Sequence, residues 1–192
     1  NPSCPYSFRT LTQVTRCRSL HTAEKYLRHL EEAFLCFSLR RFSFKAKEQA
    51  TAARKAFAID NGLATACGFA TSLNFGRLCE NLVGIALHKQ ALERKLEVYY
   101  WHGGNQEEVD FVVKKGTQIA CLIQVAWELD RPRTREREIR ALFKASAETG
   151  CDNLLVLTRE WEAEETLSWF GQRRTIRFLP TWKSLLDADN TP

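Results

Sequence analysis

The chain has 192 residues, a length that suits one large domain or two small ones. Its hydrophobic fraction of 44% and charged fraction of 27% are typical of a folded globular protein. No apolar run approaches the roughly 18 residues that a membrane span needs, so no membrane partner is expected. The net charge is +5, and the basic excess lies in residues 1–70, where 11 Lys or Arg accompany only 5 Asp or Glu.

The cysteines exclude a CxxC zinc or redox motif. All seven are dispersed, and the closest two in sequence are Cys67 and Cys79. Such a set predicts reduced thiols in a cytoplasmic protein, and the sequence shows no segment with the basic start and apolar core of a signal peptide. Methionine is absent, which suggests a piece of a longer protein.

The first 70 residues predict a small helical module with a strand pair. A short helix is expected at 7–15, and Ser19 or Thr22 can cap a second helix. Strands follow at 35–45 and 54–60, with the polar stretch AKEQATA between them. The residues expected to form the buried stripe of the second helix are Leu20, Ala23, Leu27, Leu30 and Phe34, with Tyr26 beside them.

This order of elements is typical of a winged helix. In that fold the second helix can enter the major groove of DNA while the strand pair touches phosphates. A connector or protein-contact module with a solvated basic face is the alternative. The candidate nucleic-acid-binding residues are Lys25, Arg28, His29, Arg40, Arg41, Lys45 and Lys47.

Residues 71–192 predict a second module of mixed α/β (α+β) class. A helix at 74–95 precedes three strands, and a further helix ends at Gly150. The strands are expected at 96–101, 108–113, 119–126, 153–158 and 175–180, with the second helix at 133–150 and a closing helical turn at TWKSLLDA. Helices should therefore cover a central sheet.

Three polar residues occupy these apolar elements. Glu80 lies in the first helix, Asp110 in the second strand and Gln124 in the third. This placement resembles the restriction-endonuclease-like PD-(D/E)XK fold, a three-layer domain with a mixed central sheet. In active members the strand Asp and a following Glu bind Mg²⁺, a cation that prefers oxygen ligands and activates water. The resemblance implies a catalytic site of Glu80, Asp110 and Gln124, with Asp110 and Glu80 as the metal ligands.

The sequence departs from the nuclease pattern at two positions. Gln124 stands where active members have Glu, and Ala126 stands where they have Lys. An amide binds Mg²⁺ without charge, and Ala126 supplies no cation, so the site is expected to be degenerate. Arg135 or Arg137 on the following helix could replace the lysine, or they could belong to an exposed helix face.

Five segments carry a broader resemblance that spans nearly the whole chain. They are HTAEKYLRHLEEAFLCFSLRRFS, RKAFAIDNGL, GRLCENLVGIAL, YYWHGGNQEEVDFVV and TREREIRAL. Together they resemble the domain of unknown function at the C-terminus of many bacterial and archaeal predicted AAA-type ATPases. The resemblance implies a winged-helix-like segment, a nuclease-like domain, and an upstream ATPase domain that binds ATP. The phosphate-binding pattern GxxxxGK[ST] does not occur in this sequence.

Three functions stay open at this point. The favoured one is a non-catalytic nuclease-like module that binds nucleic acid or a partner protein and couples it to its own ATPase domain, with a second copy of the chain in a homo-oligomer as a further candidate partner. The others are an active Mg²⁺-dependent DNA nuclease and a purely structural assembly domain. Under the non-catalytic hypothesis, Asp110 bonds a turn and Gln124 is a buried amide bonded to Glu80 or Asp110.

Overall fold

The computed structural model describes residues 3–67, 74–104 and 107–186. These residues form a mixed α/β fold, which confirms the predicted class. The chain divides into two units, Asn1–Ile85 and Ala86–Pro192. The predicted boundary between residues 70 and 71 lies outside the described residues.

Unit 1 combines short helices with an antiparallel sheet. Its elements in chain order are β1 (Cys4–Tyr6), α1 (Phe8–Thr15), α2 (Leu20–Glu32), β2 (Cys36–Arg41), α3 (Ala46–Thr51), β3 (Arg54–Ala58), α4 (Asn61–Cys67) and the start of α5 (Phe75–Arg94). β3 lies between β1 and β2 and is antiparallel to both. The two predicted helices and both predicted strands are confirmed, although β2 ends at Arg41 and not at residue 45. β1, α3 and α4 were not predicted.

Hydroxyl caps and one aromatic pair explain the local structure of unit 1. The side chain of Ser7 accepts a hydrogen bond from the main-chain N–H of Thr10, and that of Ser19 accepts one from Thr22. These two caps begin α1 and α2. Phe37 of β2 lies directly opposite Phe57 of β3, and their stacked rings are 5.3 Å apart between centroids. Both phenylalanines are buried, so their contact stabilises the pairing of β2 with β3.

The predicted buried stripe of α2 is wrong over most of its length. Ala23 and Leu27 are buried. Leu20 and Leu30 are exposed instead, as are Tyr26 and Phe34. α2 contacts α1 and β2 along a narrow strip, so only the residues on that strip are covered.

Unit 2 is built on a six-stranded mixed sheet. Its elements after the end of α5 are β4 (Glu97–His102), β5 (Glu108–Lys115), β6 (Gln118–Ala126), α6 (Pro132–Thr149), β7 (Leu154–Thr158), β8 (Ala163–Trp169), β9 (Gln172–Pro180) and α7 (Thr181–Leu186). The strand order is β4-β5-β6-β7-β9-β8. β7 is parallel to both β6 and β9, and the other pairs are antiparallel.

The burial and backbone conformation of individual residues explain several elements of unit 2. Every residue of β7 is buried, as expected for an apolar strand inside a sheet. α6 ends at Gly150, whose positive φ of 72° suits the left-handed conformation of a helix C-terminus. β8 was not predicted. It lies at the edge of the sheet, and its residues alternate between partly exposed and fully exposed positions. Within the described ranges, no helix is long and apolar enough to cross a bilayer.

Candidate functional site

Asp110 and Gln124 lie opposite each other on neighbouring strands. The antiparallel pairing of β5 and β6 sets Phe111 against Ile123. One step further along the pair, Asp110 faces Gln124, and opposed residues of antiparallel strands point to the same side of the sheet. Both side chains are buried. The strand register therefore brings together two of the three predicted site residues.

The two side chains bond the main chain of the opposite strand. The amide N–H of Asp110 donates to Oε1 of Gln124 at 3.2 Å. The amide N–H of Val125 donates to Oδ2 of Asp110 at 2.9 Å. The predicted alternative, in which Gln124 is a buried amide bonded to Asp110, describes this contact.

A third buried residue, Glu138 of α6, completes the cluster. Nε2 of Gln124 donates to Oε2 of Glu138 at 2.7 Å. Nε and Nη2 of Arg137 donate to Oε1 of the same carboxylate at 3.1 and 2.5 Å. Sequence reasoning missed Glu138, although its helical spacing to the buried residues Leu142 and Ala145 could have revealed it. We call Asp110, Gln124, Glu138 and Arg137 the amide-linked cluster.

The electrostatics of the cluster are unfavourable for two ionised acids. Burial raises the pKa of Glu138 above its ordinary value, and the negative charges of Asp110 and Glu108 raise it further. The hydrogen bond from Arg137 opposes this shift. The same bond raises the pKa of Arg137. Glu138 therefore ionises at a cost, which its arginine partner offsets only in part.

The described residues offer little for a metal. No group of three or more His, Cys, Asp or Glu side chains that could hold a metal ion occurs in 3–67, 74–104 or 107–186. Of the two arginines considered as a lysine replacement, Arg137 reaches the cluster, whereas Arg135 bonds Glu165 of β8. Ala126 is buried at the end of β6. Arg137 is thus the cation beside the predicted site.

Glu80 belongs to unit 1 and has a partner there. Nζ of Lys55 lies 2.8 Å from Oε1 of Glu80, and the lysine side chain is only 1% exposed. Lys55 and Phe57 are two residues apart on β3 and therefore point to the same face of the strand. Period-two reasoning could have placed Lys55 on that buried face. That Glu80 joins Asp110 and Gln124 stays a prediction, because these residues lie in different units.

The candidate nucleic-acid-binding residues are spread over three elements of unit 1. Lys25, Arg28 and His29 lie on α2, Arg40 and Arg41 on β2, Lys47 in α3, and Lys45 just before it. Three of them meet acids: Arg28 and His29 contact Glu32 at 3.6 and 3.2 Å, and Lys45 contacts Glu48 at 2.9 Å. Such solvent-exposed pairs are weak, so a phosphate can compete for these cations.

Glu138→Gln should change how stability depends on pH. The folded-state pKa of Glu138 is raised, so its contribution to stability is fully present below the unfolded pKa of about 4.3 and is lost as pH rises through the folded value. A glutamine cannot ionise and can still accept the bond from Gln124. In urea titrations, we expect the variant to be more stable relative to wild type at pH 8 than at pH 5.

Glu136→Gln is the matched control for this test. Glu136 lies on the same helix but is exposed. Its variant should show the same difference from wild type at both pH values. An unchanged difference for Glu138→Gln as well would contradict the burial of an ionisable carboxyl at residue 138.

Comparison with known proteins places the chain among uncharacterised relatives. It is 32% identical over 160 residues to Uncharacterized protein MJ1544 of Methanocaldococcus jannaschii, covering 82% of this chain and 34% of that protein. It is 30% identical over 120 residues to an uncharacterized protein of Haemophilus influenzae, covering 62% and 28%. The chain thus spans about a third of the length of these relatives.

No solved structure matches the chain significantly. One family does match it, over residues 75–174, which is more than half of its length. This match includes Asp110, Gln124, Glu138 and Arg137. The chain belongs to the family described as Domain of unknown function (DUF4143).

Proposed function

We propose that this chain is a non-catalytic, nuclease-like module that binds nucleic acid and is coupled to an ATPase domain in a longer protein. The observation that carries the first part is the amide of Gln124, which is bonded at both ends. Its oxygen accepts from the Asp110 amide and its nitrogen donates to Glu138. In an active nuclease of the PD-(D/E)XK type, a carboxylate would stand here and bind Mg²⁺.

The bonds of the cluster oppose metal binding. Turning the Gln124 oxygen toward a metal would break its bond to the buried Asp110 amide, at a cost in stability. Oδ2 of Asp110 already accepts from Val125. These side chains therefore stabilise the junction of β5, β6 and α6, which is a structural role.

The chain should not cleave DNA at a useful rate. Losing one preorganised electrostatic group, here the lysine replaced by Ala126, lowers a rate by about 10²–10³. We expect no nicking of supercoiled plasmid at millimolar Mg²⁺, and no difference between wild type and Asp110→Ala. Mg²⁺-dependent cleavage that disappears in Asp110→Ala would instead support the alternative function, an active nuclease.

The basic excess of the first 70 residues supports the nucleic-acid part of the proposal. Lys25, Arg40 and Lys47 are exposed, and the paired cations beside them are exposed as well. A basic surface attracts phosphates and releases their counterions on binding. Nucleic acid is therefore the partner that the charge distribution favours.

Binding should weaken steeply with salt. If about four phosphates are neutralised, the logarithm of the association constant should fall with the logarithm of salt at a slope near −3.6 on duplex DNA. Changing Arg40, Arg41, Lys45 and Lys47 together to alanine should flatten this slope in fluorescence-anisotropy titrations. No binding to duplex or single strands at low salt would contradict nucleic-acid binding.

A matched control uses exposed basic residues of unit 2. The residues changed to alanine in this control are Lys89, Lys115, Arg133 and Arg173. The two variants lose the same number of charges. If both variants flatten the slope equally, DNA is attracted by the total positive charge of the chain, and the basic surface of unit 1 is not the specific contact.

A protein partner is the second candidate, and the exposed face of α2 favours it. Tyr26 and Leu30 lie four residues apart on α2, and Phe34 lies just beyond its end; they are 60%, 45% and 74% exposed. The longer protein would supply the ATPase domain to cover this face, as the family resemblance implies. If the chain fails to bind nucleic acid but Leu30→Glu abolishes association with that domain, the structural alternative is supported.

A further inference from the structure

A cleft of about 640 Å³ lies in unit 2, apart from the amide-linked cluster. Its walls come from the segments that follow β6 and β7, and these two strands are parallel neighbours. The first turn of α6 closes one side through Arg135, and β8 contributes Glu165. The carboxyl ends of adjacent parallel strands are a common position for ligand sites. None of the four cluster residues lines this cleft.

Flat aromatic and guanidinium surfaces line the cleft. The guanidinium of Arg159 lies 5.6 Å from the ring centroid of Trp127. That of Arg135 lies 5.3 Å from the ring of Trp161, which also packs on Phe178 at 4.4 Å between centroids. Both tryptophans keep part of their surface exposed. The cleft therefore presents stacking surfaces that suit a planar ring.

Arg135 carries a hydrogen-bond donor without an acceptor. Its Nη2 donates to Glu165, but its Nε is buried and has no partner among the described residues. That Nε is out of a ligand's reach. The Arg135 side chain as a whole lines the cleft and is 35% exposed, so its guanidinium can donate to an acceptor atom there. The ligand should therefore carry a carbonyl oxygen or a ring nitrogen as well as a flat ring.

Carboxylates supply the remaining polar groups. Glu128, Asp130 and Glu160 line the cleft with Glu165, against the two arginines. Three of these carboxylates contact arginines: Glu128 contacts Arg131, Glu160 contacts Arg159, and Glu165 contacts Arg135. The excess of acids disfavours a phosphate inside the cleft, and a carboxylate with two oxygens can accept from further N–H donors. Arg131 does not line the cleft but contacts its lining residue Glu128 at 3.5 Å and is exposed, so a phosphate could approach it.

We propose that this cleft binds an unpaired nucleobase, stacked on Trp127, with an acceptor on the guanidinium of Arg135 and base amino or imino groups on the carboxylates. A nucleobase combines the flat ring, the acceptors and the N–H donors that the walls call for. This proposal rests on the proposed function, because it names single-stranded nucleic acid as the substrate class. A basic peptide fits less well, since Arg135 and Arg159 already occupy the cation positions on both rings.

The test compares a fluorescent single-stranded oligonucleotide with an abasic strand of the same length, both titrated with the full chain. Stacking of one base on an aromatic side chain changes affinity by about 5- to 150-fold. We expect Trp127→Ala to weaken binding of the oligonucleotide by that factor at every salt concentration, with an unchanged salt slope. Binding of the abasic strand should not change. Trp127→Phe should retain most of the affinity.

Trp182→Ala is the control, because Trp182 is 58% exposed on α7 and does not line the cleft. Its binding should match wild type. A circular-dichroism melt of each variant verifies folding. Equal affinity of wild type for the abasic strand and the oligonucleotide, or no effect of Trp127→Ala on oligonucleotide binding, would overturn the site for a base within a strand while leaving nucleic-acid binding intact. Absence of binding to both strands at low salt would instead contradict the proposed function.

Two further probes distinguish the source of the base. The first probe is quenching of tryptophan fluorescence by free nucleoside monophosphates. If this quenching is lost in Trp127→Ala while oligonucleotide binding does not depend on Trp127, the cleft binds free nucleotides. A Trp127-dependent preference for the oligonucleotide would assign it to single strands. Quenching by an oligoarginine peptide, with none by nucleotides or oligonucleotide, would overturn the proposal in favour of a basic peptide.

Discussion

Gln124→Glu will destabilise unit 2 strongly at neutral pH. The change replaces the Nε2 donor that Glu138 accepts with a carboxylate, and it places three buried acids at one junction. An uncompensated buried charge costs about 3–5 kcal/mol. For a unit of this size, we expect the melting temperature at pH 7 to fall by roughly 10 °C or more.

Acid should rescue this variant. The new carboxyl has a raised folded-state pKa, because burial and the neighbouring acids disfavour its charge. Its cost is therefore absent below the unfolded pKa and grows as pH rises through the folded value. Circular-dichroism melts at pH 5 and pH 8 should show a much smaller loss at pH 5. The control Gln118→Glu, at the exposed start of β6, should change stability little at either pH.

The same variant tests whether the nuclease geometry persists. A cation between three acids would relieve their repulsion, so millimolar Mg²⁺ should raise the melting temperature of Gln124→Glu but not of wild type. Adding Ala126→Lys returns the second missing residue, and the double variant should gain Mg²⁺ affinity or measurable nicking. Asp110→Ala in that background should abolish the gain. A Gln124→Glu protein as stable as wild type at pH 8 would contradict the contacts assigned to Gln124.

Glu80→Ala will destabilise unit 1 by a comparable amount. It removes the carboxylate that contacts the Lys55 ammonium, and that ammonium is buried. Breaking a buried ion pair by removing one partner costs about 3–5 kcal/mol. Urea unfolding should report this loss. Glu80→Gln keeps an acceptor for Lys55 and should lose less.

Two further variants make the interpretation specific. Replacing both partners, Lys55→Met with Glu80→Leu, removes the charges together and should recover most of the stability. Glu32→Ala breaks the exposed contact with Arg28 and should cost less than about 1 kcal/mol. If Glu80→Ala costs no more than Glu32→Ala, the Lys55 pair does not stabilise unit 1. If Glu80 is the predicted metal ligand, Glu80→Ala will also lower the Mg²⁺ affinity of the Gln124→Glu protein.

The pair Asp110 and Gln124 shows how far pattern reasoning reaches. Short apolar runs bounded by turn residues placed each residue on a strand, and a short turn made those strands antiparallel neighbours. Their common face then follows from local geometry. Glu138 required more, because its contact with Gln124 depends on how α6 is rotated and where it lies along the sheet. Helical spacing can place Glu138 on the buried face of α6, but it does not specify which residue of the sheet that face meets.

The sequence alone determined the mixed α/β class, the order of most elements and the position of the two polar residues in the β5–β6 pair. These properties depend on periodicity and turn chemistry, which act over a few neighbouring residues. Tertiary structure alone decided that Glu138 joins Gln124, that Lys55 meets Glu80, that most of the apolar face of α2 stays exposed, and that Trp127 and Trp161 line one cleft. Each of these depends on which surfaces of distant segments meet, and that choice follows from packing the whole unit at once.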